Sequence, residues 1–180
     1  MTSTLARRHL ATAHLALAGW ILLSSVIVLA TSQEVAPRGN ITPLVGPAQW
    51  AFWSGWIYVT LTAAVHAFSA QGMRQAASGD AMAMLVLAIN HALILLAALR
   101  IALQSPESPV YLAGLDGLLA ELLTTSLLGS TLSLFTAWRL GKTSAMNTSS
   151  RWYWALWPVH LFSALAVIGT LLWVNGSRLG

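Results

Sequence analysis

Residues 81–103 read AMAMLVLAINHALILLAALRIAL, with Arg100 the only fixed charge and His91 near the middle. About 20 predominantly apolar residues suffice to carry a helix across a ~30 Å hydrocarbon core. Lipid offers a backbone amide no partner, so a segment of this kind must close its hydrogen bonds within itself, as a helix. Working outward from it, four more apolar runs of spanning length occupy roughly 10–31, 48–70, 111–138 and 152–174. None shows the short alternating pattern of a membrane β-barrel. The sequence therefore predicts an all-α integral membrane protein, a bundle of five transmembrane helices forming one domain over 1–180, with no soluble domain.

Composition agrees. The chain is 57% hydrophobic and 8% charged, where a soluble domain carries about 25% charged residues. Nine Lys+Arg against five Asp+Glu give a formal charge of +4, which in a membrane protein is first a topology signal. No basic cluster interleaved with aromatics is present, which argues against nucleic-acid binding. There is no cysteine. That excludes disulfides, thiolate metal sites, Fe–S clusters and covalent haem attachment, and leaves histidine as the main soft-metal ligand. Arg7 and Arg8 before an apolar run imitate a signal peptide, but the run is too long and the segment reads as a retained first helix.

The connections are short: a Pro/Gly-rich loop over 32–47, a polar turn over 71–80, a two-proline break over 104–109 and a Ser/Thr/Asn-rich link over 141–150. With the N-terminus in the cytoplasm, the inner segments hold Arg7, Arg8, Arg74, Arg139, Lys142 and Arg151, and the outer ones hold Arg38 and Arg178. This follows the positive-inside rule. It puts the C-terminus on the outer (periplasmic) side of a bacterial inner membrane. Trp50, Trp53 and Trp56 at one end of helix two, Trp138 after helix four, and Trp152, Trp154 and Trp157 entering helix five fit an interfacial belt.

Ionisable groups inside a membrane are expensive and mark candidate functional sites. Four of the five helices carry one histidine each: His14, His66, His91 and His160. His9 lies in the basic N-terminal segment and reads as solvated. By the 1.5 Å rise per residue, His14 and His66 share one level, and His91 and His160 a deeper one, roughly 12–15 Å from the inner boundary. Two imidazoles at matched depth on facing helices are what a b-type haem requires. His91 and His160 are the candidate axial ligands, and so the candidate metal ligands, in a slot lined by Leu87, Leu95 and Val167. His14 and His66 form a second pair, for another haem or a quinone head group. The alternative is that each histidine makes an interhelical hydrogen bond worth ~0.6–2 kcal/mol. Near the outer face, Arg100 closes helix three while Asp116 and Glu121 open helix four. They predict an ion pair or, with Glu121 as carrier, a proton or cation route. Helix four adds a hydroxylic stripe, including Thr125, Ser126, Ser130, Ser133 and Thr136, of the kind that packs helices closely.

The histidine layout is similar in architecture, without shared motifs, to the membrane cytochrome b subunits of bacterial oxidoreductases. Gly46-Pro47-Ala48-Gln49-Trp50 is a single local echo of the tryptophan-rich sensory proteins, whose wider Trp/Pro pattern is missing. Three functions stay open: a haem b subunit exchanging electrons with the quinone pool, a structural or assembly subunit of a larger membrane complex, and a small ion or solute transporter using Glu121, Asp116 and Arg100. Hydrolase signatures are absent. Expected partners are the bilayer and either other membrane subunits or further copies of the chain.

Overall fold

In the computed structural model, residues 4–35, 47–74, 81–104, 115–141 and 151–176 are described, with side chains over 5–30, 50–74, 81–103, 117–140 and 158–173. All of the described residues are helical: α1 (Thr4–Val35), α2 (Pro47–Arg74), α3 (Ala81–Gln104), α4 (Leu115–Gly141) and α5 (Arg151–Gly176). Leu5–Ala30, Ala81–Leu103 and Gly117–Leu140 are long and apolar enough to cross a membrane, and α5 contributes an apolar stretch over Pro158–Trp173.

Several helices outrun the hydropathy pattern. Helix α1 continues to Val35 and α2 to Arg74, so Ser32–Val35 and Gln71–Arg74 are helical, not loop or turn. Polar residues at a helix end lose nothing by staying helical once they reach water, so an apolar run marks the core of a span and not its ends. Pro47, Gln104 and Gly141, expected in connections, are likewise helical; residues 36–46, 75–80, 105–109 and 142–150 of the expected connections, and 111–114 of the fourth helix, lie outside the described residues.

Consecutive helices do not simply stack in chain order. Helix α1 packs on α2 and α4, α2 on α5, α5 on α3, and α3 on α4, which closes a ring with α2 also touching α4. The last helix thus sits between α2 and α3. Side-chain pairs give the directions. His14 meets Thr136 and Ser24 meets Glu121, so α1 and α4 are antiparallel. Ser54 meets Thr170 and Thr62 meets His160, so α2 and α5 are antiparallel as well.

The distribution of residue types is that of a protein dissolved in lipid. The exterior carries Leu22, Leu23, Ile27, Leu96, Leu127 and Phe162, all exposed. The interior carries four fully buried histidines, Tyr58, Asn90, Glu121 and a set of hydroxyls. Water would favour the reverse arrangement. Exposed Thr12, Thr124 and Thr131 each donate to the carbonyl four residues earlier, which satisfies the hydroxyl without water. The largest apolar cluster, with Ile21, Val59, Ile94, Leu118, Leu122 and Leu171, fills one part of the bundle. A second, around Val65, Met84, Leu87 and Leu140, fills another.

Candidate functional site: a buried imidazole array

Among the described residues α2 and α3 make no close backbone approach; aromatic and imidazole rings meet between them. His14, His66, His91 and His160 are all 0% exposed. They form one contiguous array. Ring centroids are 4.9 Å apart for His14–His66, 5.5 Å for His66–His91 and 5.6 Å for His91–His160. The His66 and His91 rings are parallel to within 3°. Tyr58, also fully buried, lies beside both His91 and His160.

Hydrogen bonds separate the four by role. His160 has a partner on each nitrogen: Asn90 Nδ2 at 3.4 Å from Nδ1, and Thr62 Oγ1 at 3.0 Å from Nε2. Thr62 in turn donates to the Tyr58 carbonyl at 2.8 Å. The amide nitrogen can only donate, so His160 Nε2–H donates to Thr62, and every group in that chain is paired. His160 is a satisfied interior histidine that ties α5 to α2 and α3.

His66 and His91 are different. The Nε2 atom of each is buried and has no hydrogen-bond partner. His91 Nε2 abuts Gly129 of α4, where a Cβ would stand 2.7 Å from it. A buried N–H without an acceptor costs more than a bare lone pair against a C–H group. This assigns both protons to Nδ1. His91 then donates from Nδ1 to Tyr58 Oη, 2.8 Å away. His66 donates from Nδ1 to His14 Nδ1, 2.7 Å away, and His14 Nε2–H donates to Thr136 Oγ1 at 3.0 Å. Two donor chains therefore leave the central pair in opposite directions, His66→His14→Thr136 and His91→Tyr58. Ser126 Oγ stands near the Tyr58 hydroxyl without completing a hydrogen bond.

A haem does not fit between His91 and His160 as they stand. Axial imidazoles present their free nitrogens to one iron from opposite faces of a porphyrin. Here the two rings meet edge to face at 73°. One Nε2 is turned to Gly129 on α4 and the other to Thr62 on α2. Helices α3 and α5 pack directly instead of splaying. Of the expected slot residues, Leu87 and Val167 are fully buried but belong to different apolar clusters, and Leu95 is half-buried. His14 and His66 bond each other directly, so they do not form a second haem slot either. Among the described residues no group of three or more His, Asp or Glu is arranged to hold a metal ion. A groove of about 380 Å³ between α1 and α2 is lined by Leu15, Ala67, Phe68, Gln71 and Arg74 and by neither nearby histidine, so it does not place a quinone head group on an imidazole.

The outer group is also rearranged. Arg100 is exposed, and among the described residues it forms no ion pair with Glu121. The Glu121 side chain turns into the seam between α1 and α4. There its Oε1 accepts from Ser24 Oγ at 2.7 Å, Thr125 Oγ1 at 3.3 Å and Ser25 Oγ at 3.4 Å. Three hydroxyls inside the bundle converge on one carboxylate oxygen, Ser24 at the shortest distance, and the long arginine side chain stays at the surface. The Asp116 side chain, and with it the other expected ion pair, lies outside the described residues. So does the Trp157 side chain. His9 is exposed, in line with its solvated reading.

Sequence reasoning missed Tyr58, Asn90, Ser24 and Ser25. A signal for Tyr58 existed: Tyr58, Thr62 and His66 recur at intervals of four, one polar stripe on an otherwise apolar helix. Comparisons with protein families, with characterised proteins and with solved structures find no match for this chain.

Proposed function

We propose that this chain is a five-span protein of a bacterial inner membrane, N-terminus cytoplasmic, that moves protons through the buried imidazole array. This is the transporter reading of the sequence with histidine as the carrier. The observation that carries it is the central pair: His66 and His91, side by side and fully buried, each with a bare Nε2 and a committed Nδ1–H. An imidazole can accept a proton on one nitrogen and release another from the opposite one. A proton arriving at His66 Nε2 frees the Nδ1 proton to pass to His14 Nδ1, His14 passes its Nε2 proton to Thr136 Oγ1, and that hydroxyl releases its own proton toward the inner face. One arriving at His91 Nε2 frees its Nδ1 proton to the Tyr58 hydroxyl, which releases its own proton toward Ser126 as it accepts. Ring rotation returns each imidazole to its starting tautomer. Transfer between the two Nε2 atoms needs the His91 ring to turn its Nε2 away from Gly129 and a small bridging group such as water to enter between the rings, for which the bare lone pairs supply acceptors. The lipid-facing exterior excludes bulk water and leaves the relay as the polar route through the bundle.

The test is proton flux into vesicles of purified protein, read by an enclosed pH dye under a potassium diffusion potential. Flux above that of protein-free vesicles is expected. Flux at the protein-free level sinks the relay and favours a structural subunit. An absorption spectrum of the same preparation guards against the other reading of the histidines: a Soret band would require His91 and His160 to part around a haem b and would replace the relay with electron transfer.

The topology carries its own prediction. Five crossings place the C-terminus opposite the connection between α2 and α3. Reporter fusions after Gly180 and within 75–80 are expected to report opposite sides of the membrane. Reporters on the same side would mean an even number of crossings between them.

A further inference from the structure

We infer that Glu121 is the proton-exchange group at the outer end of this relay, passing protons along Thr125 and Ser126 to the Tyr58 hydroxyl. The inference rests on the relay reading and adds its second terminus.

The first support is the company Glu121 keeps. It is 7% exposed, and a carboxylate buried for structural reasons is normally paired with a cation. Among the described residues the groups that face it are uncharged: Ser24 and Ser25 from α1 and Thr125 from its own helix. Arg100 of α3 is exposed and forms no ion pair with it among the described residues.

The second support is that this company has two ways to bond. Ser24 Oγ lies 2.7 Å from Glu121 Oε1, but also 2.8 Å from the Trp20 carbonyl and 3.2 Å from the Ile21 carbonyl. Ser25 Oγ lies 2.6 Å from the Ile21 carbonyl and 3.4 Å from Glu121. A hydroxyl has one proton to donate. With Glu121 ionised, the serines turn toward the carboxylate. With Glu121 protonated, they turn back to the carbonyls of their own helix. Neither state strands a buried donor, so gain and loss of the proton need only hydroxyl rotation. A carboxylate fixed by an arginine has no such second arrangement.

The third support is position. Glu121, Thr125, Ser126 and Gly129 are all buried along one side of α4. At 1.5 Å per residue, Glu121 lies about 12 Å along the helix from Gly129, where His91 is seated. Thr125 touches the carboxylate, and Ser126, buried and without a hydrogen bond, stands near the Tyr58 hydroxyl that receives the His91 proton; transfer between Thr125 and Ser126, and between Ser126 and Tyr58, needs a water to bridge each gap. The step is a proton transfer alone: the carboxylate takes a proton from the outer medium to become the acid, then gives it to the hydroxyl chain, or the reverse.

Vesicle flux and carbodiimide labelling together test this. Glu121→Gln keeps the shape and the hydroxyl contacts but cannot exchange a proton; its flux is expected to fall at least about tenfold, within what loss of one proton-transfer group produces. Glu121→Asp is expected to keep a measurable part of it. On the unaltered protein, a hydrophobic carbodiimide, which adds to protonated carboxyl groups, is expected to modify Glu121, located by mass spectrometry, and to block flux in proportion. Conducting wild-type vesicles with an equally conducting Glu121→Gln protein overturn this inference and leave the relay standing. Labelling that spares Glu121, or leaves flux unchanged, overturns it too, even where the glutamine variant does not fold. Wild-type vesicles that do not conduct remove the relay and this inference together.

Discussion

A Gly129→Ala protein is expected to lose at least about tenfold in proton flux, in line with the removal of one positioned transfer group. The added Cβ would stand 2.7 Å from Nε2, 2.8 Å from Cδ2 and 2.9 Å from Cε1 of His91. Three atoms of one ring are met at once, so a small rotation does not relieve the clash. The imidazole must leave its seat, and the Tyr58 bond at its other nitrogen goes with it. Overpacking of this kind costs about 1–3 kcal/mol. Gly169 of α5 is the control, because a Cβ there meets no heavy atom within 4 Å. Gly169→Ala is expected to melt near the wild-type temperature with flux intact. Flux and thermal unfolding of the two variants, measured side by side, separate a seat for His91 from the general effect of an added methyl group in a helix. Equal flux in both would show that the His91 position does not matter to transport.

Replacing His66 by alanine is expected to reduce flux about 10²-fold, the loss of a group that both accepts and donates. The substitution also leaves His14 Nδ1 without its donor, at about 1–3 kcal/mol, and empties a fully buried ring site. Because a loss of fold alone would also lower flux, the informative measurement is rescue. Free imidazole is small enough for the space it replaces and carries the same two nitrogens. Millimolar imidazole is expected to restore part of the flux to His66→Ala vesicles, and none to His160→Ala, whose defect is in the frame. Absence of any rescue in a folded His66→Ala protein would count against a relay role for that ring.

The limits of the sequence reading have physical causes. The α-helical class and the cores of the helices follow from apolar run length alone, because a backbone in lipid has one local solution. The ends do not, as Ser32–Val35 and Gln71–Arg74 illustrate. Matched depth brought out the histidines as pairs, and His14 with His66 is indeed a contact. Depth fixes position along a helix but not rotation about it, nor which helix is the neighbour. His91 and His160 share a level and touch, yet their nitrogens are turned to α4 and α2. Arg100 and Glu121 sit on adjacent antiparallel helices, yet the carboxylate faces α1, because a hydroxyl pair there supplies donors without an exposed partner. Charge pattern suggested the partner with the opposite sign; the serines that supply the donors carry no sign to read.

The place of α5 in the ring has a consequence for how the protein is made. Membrane helices leave the ribosome in chain order, N-terminal segments first. The first four can meet as they arrive, since α1 packs on α2 and α4, and α3 on α4. The gap between α2 and α3 can close only when the final helix arrives. Until then Thr62 and Asn90 have no His160 to bond, and an unfilled cleft with polar walls lies open between two lipid-facing helices. Translation must be nearly complete before the interior is sealed. A chain cut short after α4 would hold His14, His66, His91 and Glu121 in a bundle that lacks one wall.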